Sequence, residues 1–171
     1  SPPVGAKIPD GPSHRGFDNF HGFHHARNME AVIEDYLVIA HDDVVNMLPR
    51  LTEKSVEYID SRKAEDEPFF LYVPLGSPHT PIVPSPEWQG KSGLGDYGDF
   101  VMQTDHCLGE ISKALERNGM TDNTLVIFTS DNGCSKAADI KGLAEQGHLV
   151  SAHLRGAKAD IWDGGHRIPF I

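Results

Sequence analysis

The chain has 171 residues, of which 39% are hydrophobic and 23% charged, and this is enough for one globular domain with a buried core. Its formal net charge of -10 excludes a nucleic-acid binder that works through a basic surface, because no excess of Lys and Arg is available to replace phosphate counterions. Two cysteines are too few for a disulfide framework, and no apolar run is long enough to span a membrane.

The first segment, residues 1–34, is predicted to be an extended surface loop. Its first 28 residues are rich in proline, glycine and histidine and show neither a helical nor a strand period. The spacing of the four histidines does not match a metal site, so solvated or loop-packing roles are favoured for His14, His21, His24 and His25. The apolar run within Asp35 to His41 fits either a short strand or the first turns of a helix.

A helix and then a strand are predicted next. Thr52 is a suitable N-cap, and Val56 and Ile59 continue one apolar face, so a helix is expected from about residue 53 to residue 62. A proline and several acidic residues end it. The aromatic and aliphatic run Phe69–Val73 then predicts a buried strand.

A long helix and a second strand follow. Apolar residues at helical spacing predict an amphipathic helix from about Asp99 to Arg117, ended by Asn118-Gly119, with Cys107 facing the core. The run Thr124–Thr129 shows almost no alternation, which predicts a strand buried on both faces of a parallel sheet. Residues 35–133 are therefore predicted to be the βαβ core of an α/β fold, a mostly parallel sheet flanked by helices.

Polar side chains follow both predicted strands. Asp131 and Asn132 come directly after the second strand, and His79 lies six residues past Val73 in a loop stiffened by prolines. If the strands are parallel, these residues share the sheet edge at which α/β proteins bind ligands. Adjacent carboxylate and amide oxygens suggest a hard cation, although Asp-Asn-Gly is equally ordinary turn chemistry.

The last segment, residues 134–171, is predicted to be an active-site loop followed by a lysine-containing segment. Lys158 is either the partner in a surface salt bridge or the cation that neutralises a bound anion, and spacing alone favours the salt bridge. The pair Gly164-Gly165 allows either close backbone approach or positive φ.

Four stretches together resemble the sulfatases of the alkaline-phosphatase superfamily, in order and in spacing. They are Gly16-Phe-Asp-Asn-Phe20, the strand and Pro-His-Thr-Pro loop of residues 69–81, residues 122–133, and Leu154-Arg-Gly-Ala-Lys158 with Asp163-Gly-Gly-His-Arg-Ile-Pro169. The resemblance implies an alkaline-phosphatase-like α/β fold. It also implies an enzyme that hydrolyses a sulfate ester, either an aryl sulfate or a small or polymeric carbohydrate sulfate.

Position by position, the resemblance implies roles for four residues. Asp131 and Asn132 are implied to be ligands of one Ca²⁺ ion, His79 to hydrogen-bond the sulfate and its bridging oxygen, and Lys158 to bind the same group. These roles agree with the chemistry, because Ca²⁺ takes six or more oxygen ligands and a transferring sulfuryl group spreads negative charge over its oxygens.

Two departures from the family pattern limit what this chain is expected to do. Asp163 stands where the family has glutamate, so it is given no catalytic role. The family's formylglycine arises from a Cys/Ser-x-Pro-x-Arg motif, which neither Cys107 nor Cys134 matches, and Ser1-Pro-Pro-Val-Gly5 has glycine in the place of arginine. We therefore expect the central part of one catalytic domain, inactive alone, whose nucleophile, other calcium ligands and C-terminal subdomain lie outside this chain.

Two alternatives remain at this point. A phosphomonoester or phosphonate hydrolase of the same superfamily would share the fold and the Asp-Asn type of metal site. A non-catalytic relic would keep the fold without the chemistry. The compartment is implied only by the resemblance, as periplasmic, secreted or lysosomal, and no loop points to a particular substrate.

Overall fold

The computed structural model describes residues 1–26, 28–64 and 67–171. Within these ranges the chain forms the strands β1 His21–Gly22, β2 Ala31–Glu34 and β3 Leu37–His41, and the helices α1 Met47–Ser61, α2 Gly95–Arg117, α3 Ile140–Glu145 and α4 Asp163–His166. Short 3-10 helices cover Pro12–His14, Val44–Asn46, Arg62–Ala64, Thr121–Asn123 and Lys136–Ala138. None of the helices described is long and apolar enough to cross a membrane.

The sheet is antiparallel, with the order β1-β2-β3. Strands β2 and β3 form a hairpin whose turn contains Asp35 at φ 53, a left-handed conformation that aspartate tolerates better than most residues. Val32 and Ile33 are buried, and a bulge lies between them. The run within residues 35–41 is thus a strand, and the prediction of an extended loop over residues 1–34 is wrong for β1 and β2.

Helix α1 starts earlier than the sequence predicted. It begins at Met47, and the Thr52 hydroxyl donates to the carbonyl oxygen of Leu48 at 2.8 Å inside the helix. Thr52 as the N-cap is therefore wrong. The predicted apolar face is confirmed, since Ile59 is 1% exposed and packs against Ala114 of α2.

Helix α2 agrees with its prediction over most of its length. It ends at Arg117, and Gly119 follows at φ 70, as in the helix endings that glycine favours. Cys107 is completely buried beside Leu48 and Phe100, so its predicted core position is confirmed. Burial raises the pKa of the Cys107 thiol, which keeps it neutral.

The predicted strand over residues 69–73 is not formed. Phe69 and Leu71 pack against the α1–α2 core, while the alternate residues Phe70 and Tyr72 are 76% and 64% exposed. Among the residues that the structure describes, no strand is hydrogen-bonded to this segment. The prediction of a buried strand over these residues is therefore wrong.

The predicted strand over residues 124–129 is also not formed. Its end makes an isolated antiparallel bridge between Thr129 and Phe170, while Leu125 and Ile127 are 86% and 54% exposed. The described chain is thus α/β with a three-stranded antiparallel sheet, and the parallel sheet with its βαβ unit is not confirmed. Both strand predictions failed because an apolar run specifies an extended chain but not its pairing partner.

Candidate functional site

Asp131 and Asn132 lie in a turn that ends the extended stretch of residues 124–129. The bridge between Thr129 and Phe170 holds the stretch just before this turn. Asp131 is exposed, and its carboxylate makes no hydrogen bond or ion pair with any residue that the structure describes. Both carboxylate oxygens are therefore available to a ligand.

The loop that carries Lys158 is bound to the segment just after Asp131. The Lys158 backbone N–H donates to the carbonyl oxygen of Cys134 at 2.9 Å. The Gly133 N–H donates to the carbonyl oxygen of Gly165, also at 2.9 Å. These two backbone bonds bring two sequence-predicted parts of the site together.

Three glycines make this approach possible. An added Cβ at Gly133 would overlap the carbonyl oxygen of Gly164, and an added Cβ at Gly164 would overlap that of Gly156. At Gly165 it would overlap the carbonyl oxygen of Asp160. None of the three has positive φ, so close backbone approach is confirmed as the reason for the double glycine, and the alternative of positive φ is wrong.

Asp160 closes the turn around Lys158. Its Oδ2 accepts from the Ala157 N–H at 2.9 Å, and its own N–H donates to the Ala157 carbonyl oxygen at 2.9 Å. Its Oδ1 lies 3.6 Å from Nζ of Lys136.

The charged side chains of this loop differ in their partners. Asp163 Oδ2 lies 3.7 Å from Nη1 of Arg167, an exposed pair within and just after α4. The ammonium of Lys158, in contrast, has no acceptor in the described part of the chain. The surface salt bridge that spacing favoured for Lys158 is thus absent among the described residues, and its charge is available to an anion.

His79 lies in a separate loop. Its Nδ1 is 2.6 Å from the carbonyl oxygen of Thr80. A carbonyl only accepts, so Nδ1 carries a proton and Nε2 is the nitrogen left to exchange one. The His79 backbone N–H donates to the carbonyl oxygen of Gly76 at 3.1 Å, which fixes the backbone of the loop as well.

Helix α2 supports both loops. The Cys134 thiol donates to Tyr97 Oη at 3.2 Å, and the hydroxyls of Thr104 and Ser77 are hydrogen-bonded at 2.8 Å. Tyr97 and Thr104 are seven residues apart, which places them on one helix face about 10 Å apart along the axis. The His79 loop and the Asp131 segment are thus attached to the same face of α2.

The Cys134 thiol is a structural group. Burial raises its pKa, and burial also raises the pKa of the Tyr97 hydroxyl that it contacts. A thiol with a raised pKa is protonated at pH 7 and is a weak nucleophile. This agrees with the sequence, in which Cys134 does not match the formylglycine motif.

Asp131 and Asn132 supply hard oxygens, the donor type that Ca²⁺ takes, but only from two side chains. No group of three or more His, Cys, Asp and Glu side chains within the described ranges could hold a metal ion. The residues present therefore fit part of a calcium site. Calcium binding itself stays a prediction.

The sequence missed three residues that place the site. Tyr97 and Asp160 act through a distant contact or a turn, so apolar spacing does not indicate them. Thr104 fits the helical spacing, but its bond to Ser77 does not follow from that spacing. The four predicted residues divide into two groups. Asp131 and Asn132 lie in the segment bound to the Lys158 loop, and His79 lies on the other loop held by α2.

Comparison with known proteins gives the family. The family model described as Sulfatase matches residues 7–171. An N-acetylgalactosamine-6-O-sulfatase of Bacteroides thetaiotaomicron is 43% identical over 124 residues, which are 71% of this chain and 24% of that protein. An arylsulfatase of Hemicentrotus pulcherrimus is 34% identical over 120 residues, covering 70% of this chain and 20% of the relative.

The comparison with solved structures agrees with the family given by the sequence comparisons. One from a study of glycosaminoglycan metabolism by Bacteroides thetaiotaomicron has a TM-score of 0.69 and 32% identity, and the match covers 99% of this chain and 38% of that one. The structure of Ps i-CgsB has a TM-score of 0.74 at 24% identity, covering 94% of this chain and 41% of that one, and supports the fold alone. This chain thus spans about a quarter of the length of the curated relatives and belongs to the sulfatase family.

Proposed function

We propose that this chain is the central part of a sulfatase catalytic domain that hydrolyses a carbohydrate sulfate ester, with a hexosamine 6-sulfate as the substrate class. The observation that carries the proposal is the backbone bond from Lys158 to Cys134, which joins the loop of Lys158 to the segment that presents Asp131 and Asn132. The Lys158 ammonium has no acceptor among the described residues. The substrate class follows the printed activity of the Bacteroides relative and of the mouse relative, an N-acetylgalactosamine-6-sulfatase 34% identical to this chain.

The residues of this chain act on the sulfate in different ways. Lys158 binds a non-bridging oxygen, where its charge offsets the negative charge that grows in the transition state. His79, when protonated, donates from Nε2 to the bridging oxygen and so assists departure of the alcohol. The bond from Nδ1 to Thr80 fixes the ring tautomer for this donation.

Two components would come from outside residues 1–171. Asp131 and Asn132 would hold one Ca²⁺ ion together with further ligands, and the ion would add positive charge near the sulfate oxygens. The nucleophile, expected to be a formylglycine, is also outside, so the chain alone is expected to be inactive. The predicted periplasmic, secreted or lysosomal location stays a prediction.

The test is sulfate release from a hexosamine 6-sulfate and from 4-nitrophenyl sulfate by the full-length protein. Lys158→Ala and His79→Ala are each expected to lower kcat at least about a hundredfold, because each removes charge stabilisation or proton donation in the transition state. The matched controls are Lys141→Ala and His153→Ala, both at exposed positions. Wild-type turnover in both site variants would refute the assignment, and hydrolysis of phosphate esters in preference to sulfate esters would favour the phosphohydrolase alternative.

A further inference from the structure

Arg155 and Trp162 lie at the two ends of the loop that carries Lys158. The Gly164 N–H donates to the Arg155 carbonyl oxygen at 2.8 Å and closes the base of the loop. Cζ of the Arg155 guanidinium lies 3.9 Å from the centre of the Trp162 ring. This is a stacking distance, at which the cation gains from the negative face of the indole.

The stacked guanidinium keeps its hydrogen-bond donors. Its N–H groups point outward in the guanidinium plane, and stacking uses only the flat face. Arg155 is exposed, and these groups have no acceptor among the residues described. Four other arginines pair with a carboxylate, in the pairs Arg15–Asp10, Arg50–Asp42, Arg117–Asp60 and Arg167–Asp163. In a chain with a net charge of -10, an arginine held in place without a carboxylate is suited to an external anion.

The position of Arg155 relative to Lys158 indicates what kind of anion it would take. Lys158 is three positions after Arg155, so the Cα atoms of the two residues are at most about 11 Å apart. Both cations belong to one loop fixed by Asp160 and Gly164. A polysaccharide with its ester sulfate at Lys158 would therefore place the charged group of a neighbouring sugar within reach of Arg155.

We propose that Arg155, stacked on Trp162, is a subsite for a second anionic group of the substrate, a carboxylate or sulfate on a sugar next to the one whose ester is cleaved. This proposal rests on the proposed function and makes it more specific. The planar fork of the guanidinium matches either anion with two parallel hydrogen bonds. The Trp162 ring holds the guanidinium in one orientation, which lowers the entropy lost on binding.

The experiment compares three substrates of the full-length protein. They are a hexosamine 6-sulfate alone, the same sugar linked to a uronic acid, and the same sugar linked to a second sulfated hexose. For Arg155→Gln, we expect the ratio of kcat/KM between a charged disaccharide and the monosaccharide to fall about tenfold, mainly through KM. Arg155→Lys should give an intermediate ratio, since it keeps the charge and loses the fork. The disaccharide whose ratio falls more identifies the anion as carboxylate or sulfate.

Two controls separate this role from a structural one. Lys141→Gln removes an exposed positive charge elsewhere and should leave the ratio unchanged. An equal fall on all three substrates would mean that Arg155 only supports the loop, and an unchanged ratio would mean that no subsite exists, so either result overturns the proposal. If the wild type hydrolyses none of the substrates, the proposed function fails instead. Calorimetric binding of the uronic acid disaccharide and of a doubly sulfated disaccharide to wild type and Arg155→Gln then tests the subsite separately, and equal affinities of the two proteins for both would overturn it.

Discussion

Two regions of this chain are stabilised in different ways. The packed region, formed by the sheet with α1 and α2, buries its apolar side chains, among them Val32, Ile59 and Cys107 at 1% exposure or less. The site region, residues 124–171, leaves large apolar side chains exposed, with Leu125 and Ile161 both at 86%. Burial of apolar area therefore stabilises the first region far more than the second.

The site region is held instead by backbone contacts. Gly133 bonds to Gly165, and Lys158 bonds to Cys134, across a gap too narrow for a Cβ at the glycines. Backbone fit therefore sets the position of the candidate site residues, while large apolar side chains around them stay exposed. Exposed apolar surface of this kind is where further chain or a partner packs, and the curated relatives are several times longer than this chain.

The two regions should differ most in how much the truncation of an apolar side chain lowers the free energy of unfolding. Ile59→Ala should lower the free energy of unfolding of the 171-residue chain by about 2–5 kcal/mol, because it leaves a cavity between α1 and α2. Leu125→Ala should change it by no more than about 0.5 kcal/mol, because the side chain is already in solvent. Urea unfolding measures both.

A loss at Leu125 as large as that at Ile59 would contradict the exposure of this segment and restore the predicted buried strand. Repeating Leu125→Ala in the full-length protein would measure how much of this surface other parts of the protein cover. A larger loss there than in the 171-residue chain would show that the site region gains its apolar packing from outside these residues.

The second expected difference concerns the substitution of glycine by alanine, which should destabilise the site region and stabilise the packed region. Gly133→Ala places a methyl group against the Gly164 carbonyl, which should destabilise the contact by about 1–3 kcal/mol. The proposed sulfatase activity of the full-length protein should fall on the order of a hundredfold, because the Asp131 segment moves away from Lys158.

The matched control is Gly109→Ala in the middle of α2. An added Cβ meets nothing within 4 Å there, so alanine should stabilise the helix by about 0.5–1 kcal/mol and leave activity intact. Activity assays and thermal unfolding of the full-length protein check both variants. Normal activity in Gly133→Ala would mean that close backbone approach does not position the site.

The sequence was sufficient where the signal is local. The spacing of apolar residues predicted α2 to within a few residues and placed Cys107 in the core, because helical periodicity depends on neighbours in the chain. Of the two alternatives for the double glycine, close backbone approach is confirmed. The sequence pattern also singled out Asp131, Asn132, His79 and Lys158, and the roles that the family resemblance implies for them stay a prediction.

The sequence was insufficient to predict structure where a segment pairs with residues that are distant in the chain. Residues 69–73 and 124–129 look like strands because they are apolar, but a strand also needs a neighbour. The described chain provides none for residues 69–73, and for residues 124–129 it provides only the isolated bridge between Thr129 and Phe170. Strand β2, in contrast, is formed but was not predicted, because its hairpin turn at Asp35-Tyr36 contains no glycine to indicate it. The contact of Tyr97 with Cys134 joins residues 37 positions apart, and no periodicity encodes it.

The smallest expected effect lies in the packed region and depends on pH. The His21 side chain is 12% exposed, and both of its ring nitrogens are buried without a hydrogen-bond partner in the structure described. Burial lowers the pKa of His21, with Lys54 and Arg50 of α1 adding to the effect and Glu34 of β2 and Glu57 of α1 opposing it. The folded state therefore prefers the neutral ring.

The lowered pKa of His21 makes the stability of the folded state depend on pH. The unfolded-state pKa is about 6.5, and the folded-state pKa is lower, so protons bind more tightly to the unfolded state. Stability should fall as pH drops below about 6.5 and stop falling once pH is below the folded pKa. Thermal unfolding of His21→Gln between pH 7 and pH 5 should show a shallower fall than the wild type, whereas the exposed control His153→Gln should keep the wild-type slope. Equal slopes in all three proteins would mean that His21 is hydrated or paired in solution. The packed region would then be more accessible to water at β1 than in its core.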